Sequence, residues 1–343
     1  MVIHYKCPGC GDDMAFDSKS GKLSCPSCGR QDNIETFSDE YITMTFEEHE
    51  AKEYHCENCG AVLLTDSDTI ATRCSFCGAG VVLAERVAGT YVPSLVIPFS
   101  ISKEEATQTF KKWCRNGLLT PRDFMTQDRI KNITGMYVPF WMFDLNSRVK
   151  VHAVGTKVRT YTRGDYIYTE TSYYDVFRDI NLDYMKVPVD ASSKLDDDLM
   201  DKLEPYTYDQ LKEFKTPYLA GYIAEKYNYT DDELMPRVKS KVQSFIDAYV
   251  SSTISGYSTV DFKNKEIDTR KVKSYYVLLP VWMVTYRYKD KDYIFAMNGQ
   301  TGKVVGKPPL SPWKILGWFS GISASTFLVM NLIELIVTGG WSV

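Results

Sequence analysis

The stretch CPGCGDDMAFDSKSGKLSCPSCG, from Cys7 to Gly29, constrains this chain more than any other. Two C-x2-C pairs in so short a segment leave no room for a hydrophobic core and call for a metal in its place. The pattern occurs twice. CENCGAVLLTDSDTIATRCSFCG, from Cys56 to Gly78, repeats it at a constant offset, with Tyr5 matched by Tyr54 and Asp17-Ser18 by Asp66-Ser67. Both copies read C-x2-C-x14-C-x2-C, and the Gly after each pair (Gly11, Gly29, Gly60, Gly78) suits a turn that needs positive φ. The spacing predicts two tandem zinc ribbons, one Zn2+ on Cys7, Cys10, Cys25 and Cys28 and a second on Cys56, Cys59, Cys74 and Cys77. Four thiolates close a tetrahedral shell and leave no position for water or substrate. A rubredoxin-like iron site uses the same ligands and stands as the chemical alternative.

The remaining cysteine, Cys114, falls inside a predicted helix and reads as a small buried apolar residue. The opening MVIHYKCPGC shows neither a charged n-region nor an apolar h-region, so no secretory signal is expected. Thiolate pairs without such a signal point to a reducing compartment and metal ligation rather than disulfides.

The overall charge of −4 is unevenly spread. Residues 1–90 hold 7 Lys and Arg against 15 Asp and Glu, a net of −8, whereas 91–312 hold 32 against 28, a net of +4. Nucleic-acid affinity rests largely on cations that neutralise phosphates. A region at −8, carrying four-thiolate zinc sites that are each a formal dianion, repels a phosphate backbone. Protein docking or scaffolding therefore ranks above a membrane-tethered nucleic-acid-binding regulator, and no nucleic-acid partner is expected.

The chain divides into a first ribbon at 1–36, an acidic connector at 37–53, a second ribbon at 54–90, an α+β domain with antiparallel sheets at 91–312 and an apolar tail at 313–343. Within the α+β domain, SKEEATQTFKKWCRN (102–116) predicts a helix with Ser102 as N-cap and Glu105 at the capping-box position. Val149, Val151 and Ala153 alternate with polar neighbours, and Arg163-Gly164-Asp165 reads as a turn between strands. Residues 188–250, including PYLAGYIAEKY, read as mainly helical. A second strand-rich run follows, GYSTVDF, VKSYYVLLPVWMVTYRY and DYIFAMNGQTGKVVG, with turn signals at Lys289 to Asp292 and Asn298-Gly299. P-x-W-M occurs in both strand regions, at Pro139 to Met142 and Pro280 to Met283, which suggests two related helix-plus-meander halves.

ILGWFSGISASTFLVMNLIELIVTG, from Ile315 to Gly339, contains a single ionisable residue, Glu334. About 20 apolar residues suffice to cross the hydrocarbon core as a helix, and Trp313, Trp318 and Trp341 sit near the ends, where interfacial aromatics are favoured. Lys303, Lys307 and Lys314 precede the segment and no Lys or Arg follows it. The positive-inside bias predicts a single-pass membrane protein with its N-terminal bulk cytoplasmic and its C-terminus outside. Gly317, Gly321 and Ser325 form a small-residue stripe, and Asn331 falls on nearly the same face, so the span is suited to self-association or to a partner helix.

Enzyme signatures are missing. No G-x-x-x-x-G-K-[ST] loop and no G-x-S-x-G elbow occurs, and His4, His49, His55 and His152 show no metal or triad spacing. No catalytic activity is expected.

In combination, the four cysteine pairs, IPF, KKWCRNGLLTPRDF, ITGMYVPFWMFD, LEPY, YLAGYIAEKY and NGQTGKVVGKPPLSPWK resemble the Firmicute membrane-anchored double zinc-ribbon proteins of the Bacillus YdjG type. The resemblance spans nearly the whole chain. It implies zinc on the eight cysteines named above and a membrane-embedded scaffold in an envelope-stress system. It also implies action beside phage-shock-like membrane components and recruitment of a flotillin-like (SPFH-domain) cytosolic protein.

Overall fold

The computed structural model describes residues 2–37, 42–45, 53–55, 62–64, 69–73, 79–83, 92–115, 117–121, 124, 133–289 and 291–339. Among the described residues, nine short strands come first: β1 (Val2–Tyr5), β2 (Ala15–Asp17), β3 (Lys22–Ser24), β4 (Gln31–Asp32), β5 (Ile42–Thr45), β6 (Glu53–His55), β7 (Val62–Leu64), β8 (Thr69–Arg73) and β9 (Gly80–Leu83). Then follow β10 (Leu95–Val96), α1 (Lys103–Arg115), β11 (Thr134–Arg163), β12 (Tyr166–Asp190), α2 (Asp197–Leu203), β13 (Lys212–Glu213) and β14 (Ile223–Glu225). The chain continues through α3 (Met235–Ser252), β15 (Thr259–Tyr288), β16 (Lys291–Asn298), β17 (Val304–Gly306) and α4 (Pro312–Gly339).

Three very long strands organise the molecule. β11 and β15 are 30 residues each and β12 is 25. At about 3.3 Å per residue, the longer two reach on the order of 100 Å. β11 pairs antiparallel with β12 on one side and β15 on the other. The alternation at Val149, Val151 and Ala153 buries one face, against which α3 lays Val238, Val242, Ile246 and Val250. The opposite face carries Arg148, paired with Asp179 at 2.8 Å, and His152, at 2.9 Å from Asp175. Gly164, at φ +64, makes the β11–β12 turn, and the hairpin tip exposes Tyr166 and Ile167.

β15 joins the end of GYSTVDF to VKSYYVLLPVWMVTYRY, because pairing with β11 carries the polar stretch Lys263 to Arg270 through as strand despite its turn-prone composition. The segment 188–250, expected to be mainly helical, is α-helical only in α2 and α3. PYLAGYIAEKY forms a 3-10 turn over Thr216–Leu219 and then β14. Pro217 opens the turn, and Gly221 at φ +86 ends it before the chain extends between β11 and β8.

Around the centre of the sheet the same contacts occur twice. Val138 faces Leu279, with Pro139 opposite Leu278 and Tyr137 opposite Pro280, so the two P-x-W-M segments run antiparallel about a local two-fold axis. β10 pairs parallel to β15 at Val277 and Leu278, while β14 pairs parallel to β11 at Met136 and Tyr137. The Trp141 indole donates to Tyr229 O at 2.9 Å, and the Trp282 indole to Ile101 O at 3.1 Å. Ala191 N–H bonds Pro139 O at 2.9 Å, and Gly299 N–H bonds Pro280 O at 2.8 Å. Ser102 with Glu105 and Thr230 with Glu233 form matching capping boxes ahead of α1 and α3.

The N-terminal strands are not beads on a string. The main path of the large sheet runs β13-β10-β15-β11-β14-β8-β9-β1-β5 and so crosses the boundaries expected at 36/37 and 90/91. β5 lies within the expected acidic spacer and pairs with β1 from Val2↔Thr45 to Tyr5↔Ile42. At the other end, α4 is exposed from Ile315 to Glu334, and Pro312–Glu334 (23 residues) is long and apolar enough to cross a membrane.

Candidate metal centre

The first cysteine quartet is assembled by three small devices. Each C-x2-C pair is a tight turn closed by a backbone bond, Gly11 N–H to Cys7 O at 2.8 Å and Gly29 N–H to Cys25 O at 3.0 Å. Gly11 and Gly29 take φ +76 and +75, the left-handed conformation that a side chain disfavours. The β2–β3–β4 meander then brings the second pair back over the first.

The four sulfur ligands all lie within 4.8 Å of one another. Cys7 and Cys28 Sγ stand 3.5 Å apart, as do Cys10 and Cys25 Sγ. A tetrahedron with Zn–S bonds of about 2.3 Å has edges of about 3.8 Å, so the quartet matches that geometry, and it is far from the ~2.05 Å of a disulfide. Burial raises the Cys7 thiol, but the Gly9 and Cys10 amides and adjoining thiols outweigh it and bring it down to about 7. At Cys10 the Asp12 amide pulls down, yet the neighbouring Cys25 and Cys28 thiols lift it to about 12. Sulfurs this close cannot all ionise without a cation between them. The donor set therefore fits one tetrahedral, thiophilic divalent ion, bound by Cys7, Cys10, Cys25 and Cys28, which would staple the two turns together and hold no substrate.

The surroundings are not evident from the cysteine spacing. Cys7 and Cys25 are buried in one apolar core with Tyr5, Phe16 and Leu23 from their own segment and Tyr218, Leu219 and Tyr222 from the α+β domain. Phe16 packs edge-on against Tyr218 at 5.4 Å, and its N–H bonds Ala220 O at 3.0 Å. Tyr5 OH donates to Thr216 Oγ1 at 2.6 Å, and Lys215 pairs with Glu35. Arg73 Nε, from β8, donates to Gly221 O at 2.6 Å. These residues meet across nearly 200 positions of chain, and only the apolar and aromatic character of 218–222 signals that the segment is buried. Outside the quartet, Lys6–Asp13 at 2.9 Å and Arg30–Asp32 at 2.7 Å place cations beside the thiolates.

The second quartet, Cys56, Cys59, Cys74 and Cys77, lies outside the described residues. β6 pairs with β7 on either side of the Cys56–Cys59 segment, and β8 pairs with β9 on either side of the Cys74–Cys77 segment. Cys114 is buried on α1, and burial pushes its thiol up to about 12, so it is a packing residue. On α4, Gly317 and Gly321 face open space, while Ser325 Oγ and Asn331 Nδ2 bond back to the carbonyls of Gly321 and Phe327 at 2.8 Å each.

No family model matches the chain, and no solved structure matches it. It is 63% identical over 341 residues to YdjG of Bacillus subtilis (strain 168), itself an uncharacterized protein, in an alignment covering 99% of this chain and 100% of the other.

Proposed function

The chain belongs to the YdjG family, and from that premise we propose that it is a membrane-anchored, zinc-binding scaffold that holds a protein partner at the cytosolic face of the membrane. Each quartet holds one Zn2+, giving two ribbons per chain, and α4 spans the bilayer once with the head cytosolic and the C-terminus outside. The partner is a flotillin-like SPFH-domain protein, and a second membrane protein of a phage-shock-like envelope-stress system completes the assembly. The chain performs no catalysis. Its span self-associates or pairs through Gly317, Gly321, Ser325 and Asn331, a face that offers close approach to another helix.

One observation carries this reading. The first quartet shares its core with the domain that leads into α4, so a metal-stapled head and an apolar span belong to one body. A scaffold needs that rigidity, because a docking surface on a loose tether does not fix its client at the membrane. The closed four-thiolate shell supports a structural rather than a reactive metal. The net charge of −8 over residues 1–90 favours a protein client over a nucleic acid.

The test is purification of the full chain from native membranes, followed by metal analysis and identification of co-purifying proteins. Two zinc equivalents, a need for detergent and an SPFH-domain protein retained by wild type but lost from the Cys7→Ser/Cys10→Ser variant are the expected results. Recovery in the soluble fraction, or iron in place of zinc, overturns the corresponding part of the reading.

A further inference from the structure

The linker between β17 and α4 is seated rather than slack. Ser311 N–H bonds Leu119 O at 2.8 Å, and Lys314 Nζ donates to Thr120 O at 2.6 Å. Pro308, Pro309 and Pro312 stiffen the same few residues. A cleft of about 930 Å³ opens between this linker and the end of the long sheet, lined by Tyr288, Lys289, Tyr293, Lys307, Trp313 and Lys314. Its aromatic wall is well supported, with Tyr288 edge-on against Phe124 at 5.3 Å and 6.4 Å from Tyr293.

The lysines of this cleft differ from their neighbours. Lys202 is held by Asp198 at 2.5 Å, Lys194 lies 3.5 Å from Glu225, and Lys303 donates to Glu204 O. Among the described residues, Lys289, Lys307 and Lys314 have no carboxylate within ion-pair distance. Lys289 Nζ stands over the Tyr288 ring at 5.2 Å, and Lys314 spends one donor on a carbonyl, leaving two. Asp198, whose carboxyl feels the Lys307 charge, is already paired with Lys202. Three cations therefore converge on one cleft with donors to spare.

We propose that this cleft binds the headgroup of an anionic phospholipid, with Lys289, Lys307 and Lys314 around the phosphate and Trp313 in the interfacial layer. The location selects the ligand. The apolar run begins at Ile315, one residue beyond Lys314, so the cleft opens at the depth where headgroup phosphates lie. Lysines beside a membrane surface gain from anionic lipid, and aromatic rings favour that layer. The proposal rests on the reading of α4 as a membrane span.

The experiment uses the full chain reconstituted in vesicles of phosphatidylcholine alone or with phosphatidylglycerol. Flotation with both vesicle types establishes the span, and the thermal midpoint and the phosphatidylglycerol retained after detergent extraction report the site. Phosphatidylglycerol is expected to raise the midpoint of wild type and to co-purify with it. In Lys289→Gln/Lys307→Gln the midpoint shift disappears and retention falls by roughly five-fold per lysine. Lys263→Gln, at the far end of β15 and paired there with Asp261, is expected to behave as wild type. Equal midpoints in the two vesicles, equal losses in Lys263→Gln, or the same stabilisation by soluble glycerol phosphate overturns the headgroup site while leaving the span intact. Failure to float even with phosphatidylcholine overturns the span and the site together.

Discussion

Asp190 and Asn298 show how one residue position can be occupied in two ways. Both are fully buried, and both end a strand at the same place in the recurring sheet geometry. Asn298 Oδ1 accepts the N–H groups of Gln300 and Thr301 at 2.9 Å each, while its Nδ2 donates to Leu203 O at 3.1 Å. Asp190 Oδ1 accepts Ser192 N–H at 3.2 Å, and Arg237 Nη1 lies 3.9 Å from its other oxygen. Burial pushes the Asp190 carboxyl up to about 7; the Ser192 amide and Arg237 charge oppose this, and Asp197 adds to it. The folded state then binds a proton that the unfolded chain releases near pH 4, so stability falls as pH rises from about 4 to about 7 and levels off above that. Asp190→Asn, which copies Asn298, is expected to remove this contribution, on the order of a few kcal/mol, and to flatten the unfolding midpoint across the window. An unchanged pH profile in chemical denaturation would refute the assignment.

Among the elements, α1 begins where the sequence places it. The reciprocal bonds of Ser102 and Glu105 are present at 2.9 and 3.3 Å, and Ala106, Phe110 and Cys114 form its buried stripe. Thr230 and Glu233 repeat the box five residues before α3, where Thr230 N–H reaches Glu233 at 2.7 Å. Ser102→Ala and Thr230→Ala are each expected to cost about 1 kcal/mol, the usual value of a lost N-cap, read as a lower urea midpoint with unchanged slope. The long strands obey a different rule. Alternation marks their inner face at Val149 to Ala153, but their length comes from partners: β15 stays extended through Lys263 to Arg270 because β11 lies beside it.

At the scale of the whole molecule, the metal centre and the sheet are coupled through one core. Phe16 N–H bonds Ala220 O, and Gly221 and Tyr222 lead into β14, which pairs with β11. An ion held by these four thiolates would supply folding free energy outright, and its removal would release Phe16 and Tyr5 from their seats. Chelation is expected to speed hydrogen exchange at Phe16 and across residues 216–224 while leaving 277–281, in the centre of the sheet, protected. Exchange that stays unchanged at Phe16 after the metal is shown to be gone would break the link.

What neighbouring residues decide is legible in the sequence: the turns at Cys7–Gly11 and Cys25–Gly29, the capping box at Ser102, the turn at Arg163 to Asp165 and the apolar run from Ile315, because spacing and composition act over a few residues. What distant residues decide is set by the fold. PYLAGYIAEKY carries a helix-like pattern, yet Ile223–Glu225 becomes a strand because β11 and β8 offer backbone partners on both sides. The same applies to the seat of the metal centre. Cys7 and Cys25 are legible as ligands from their spacing, but their burial against Tyr218 and Leu219 arises when a sheet edge meets a turn some 200 residues away. A pattern of one's own side chains encodes which face is apolar; which surface covers that face is set by the rest of the chain.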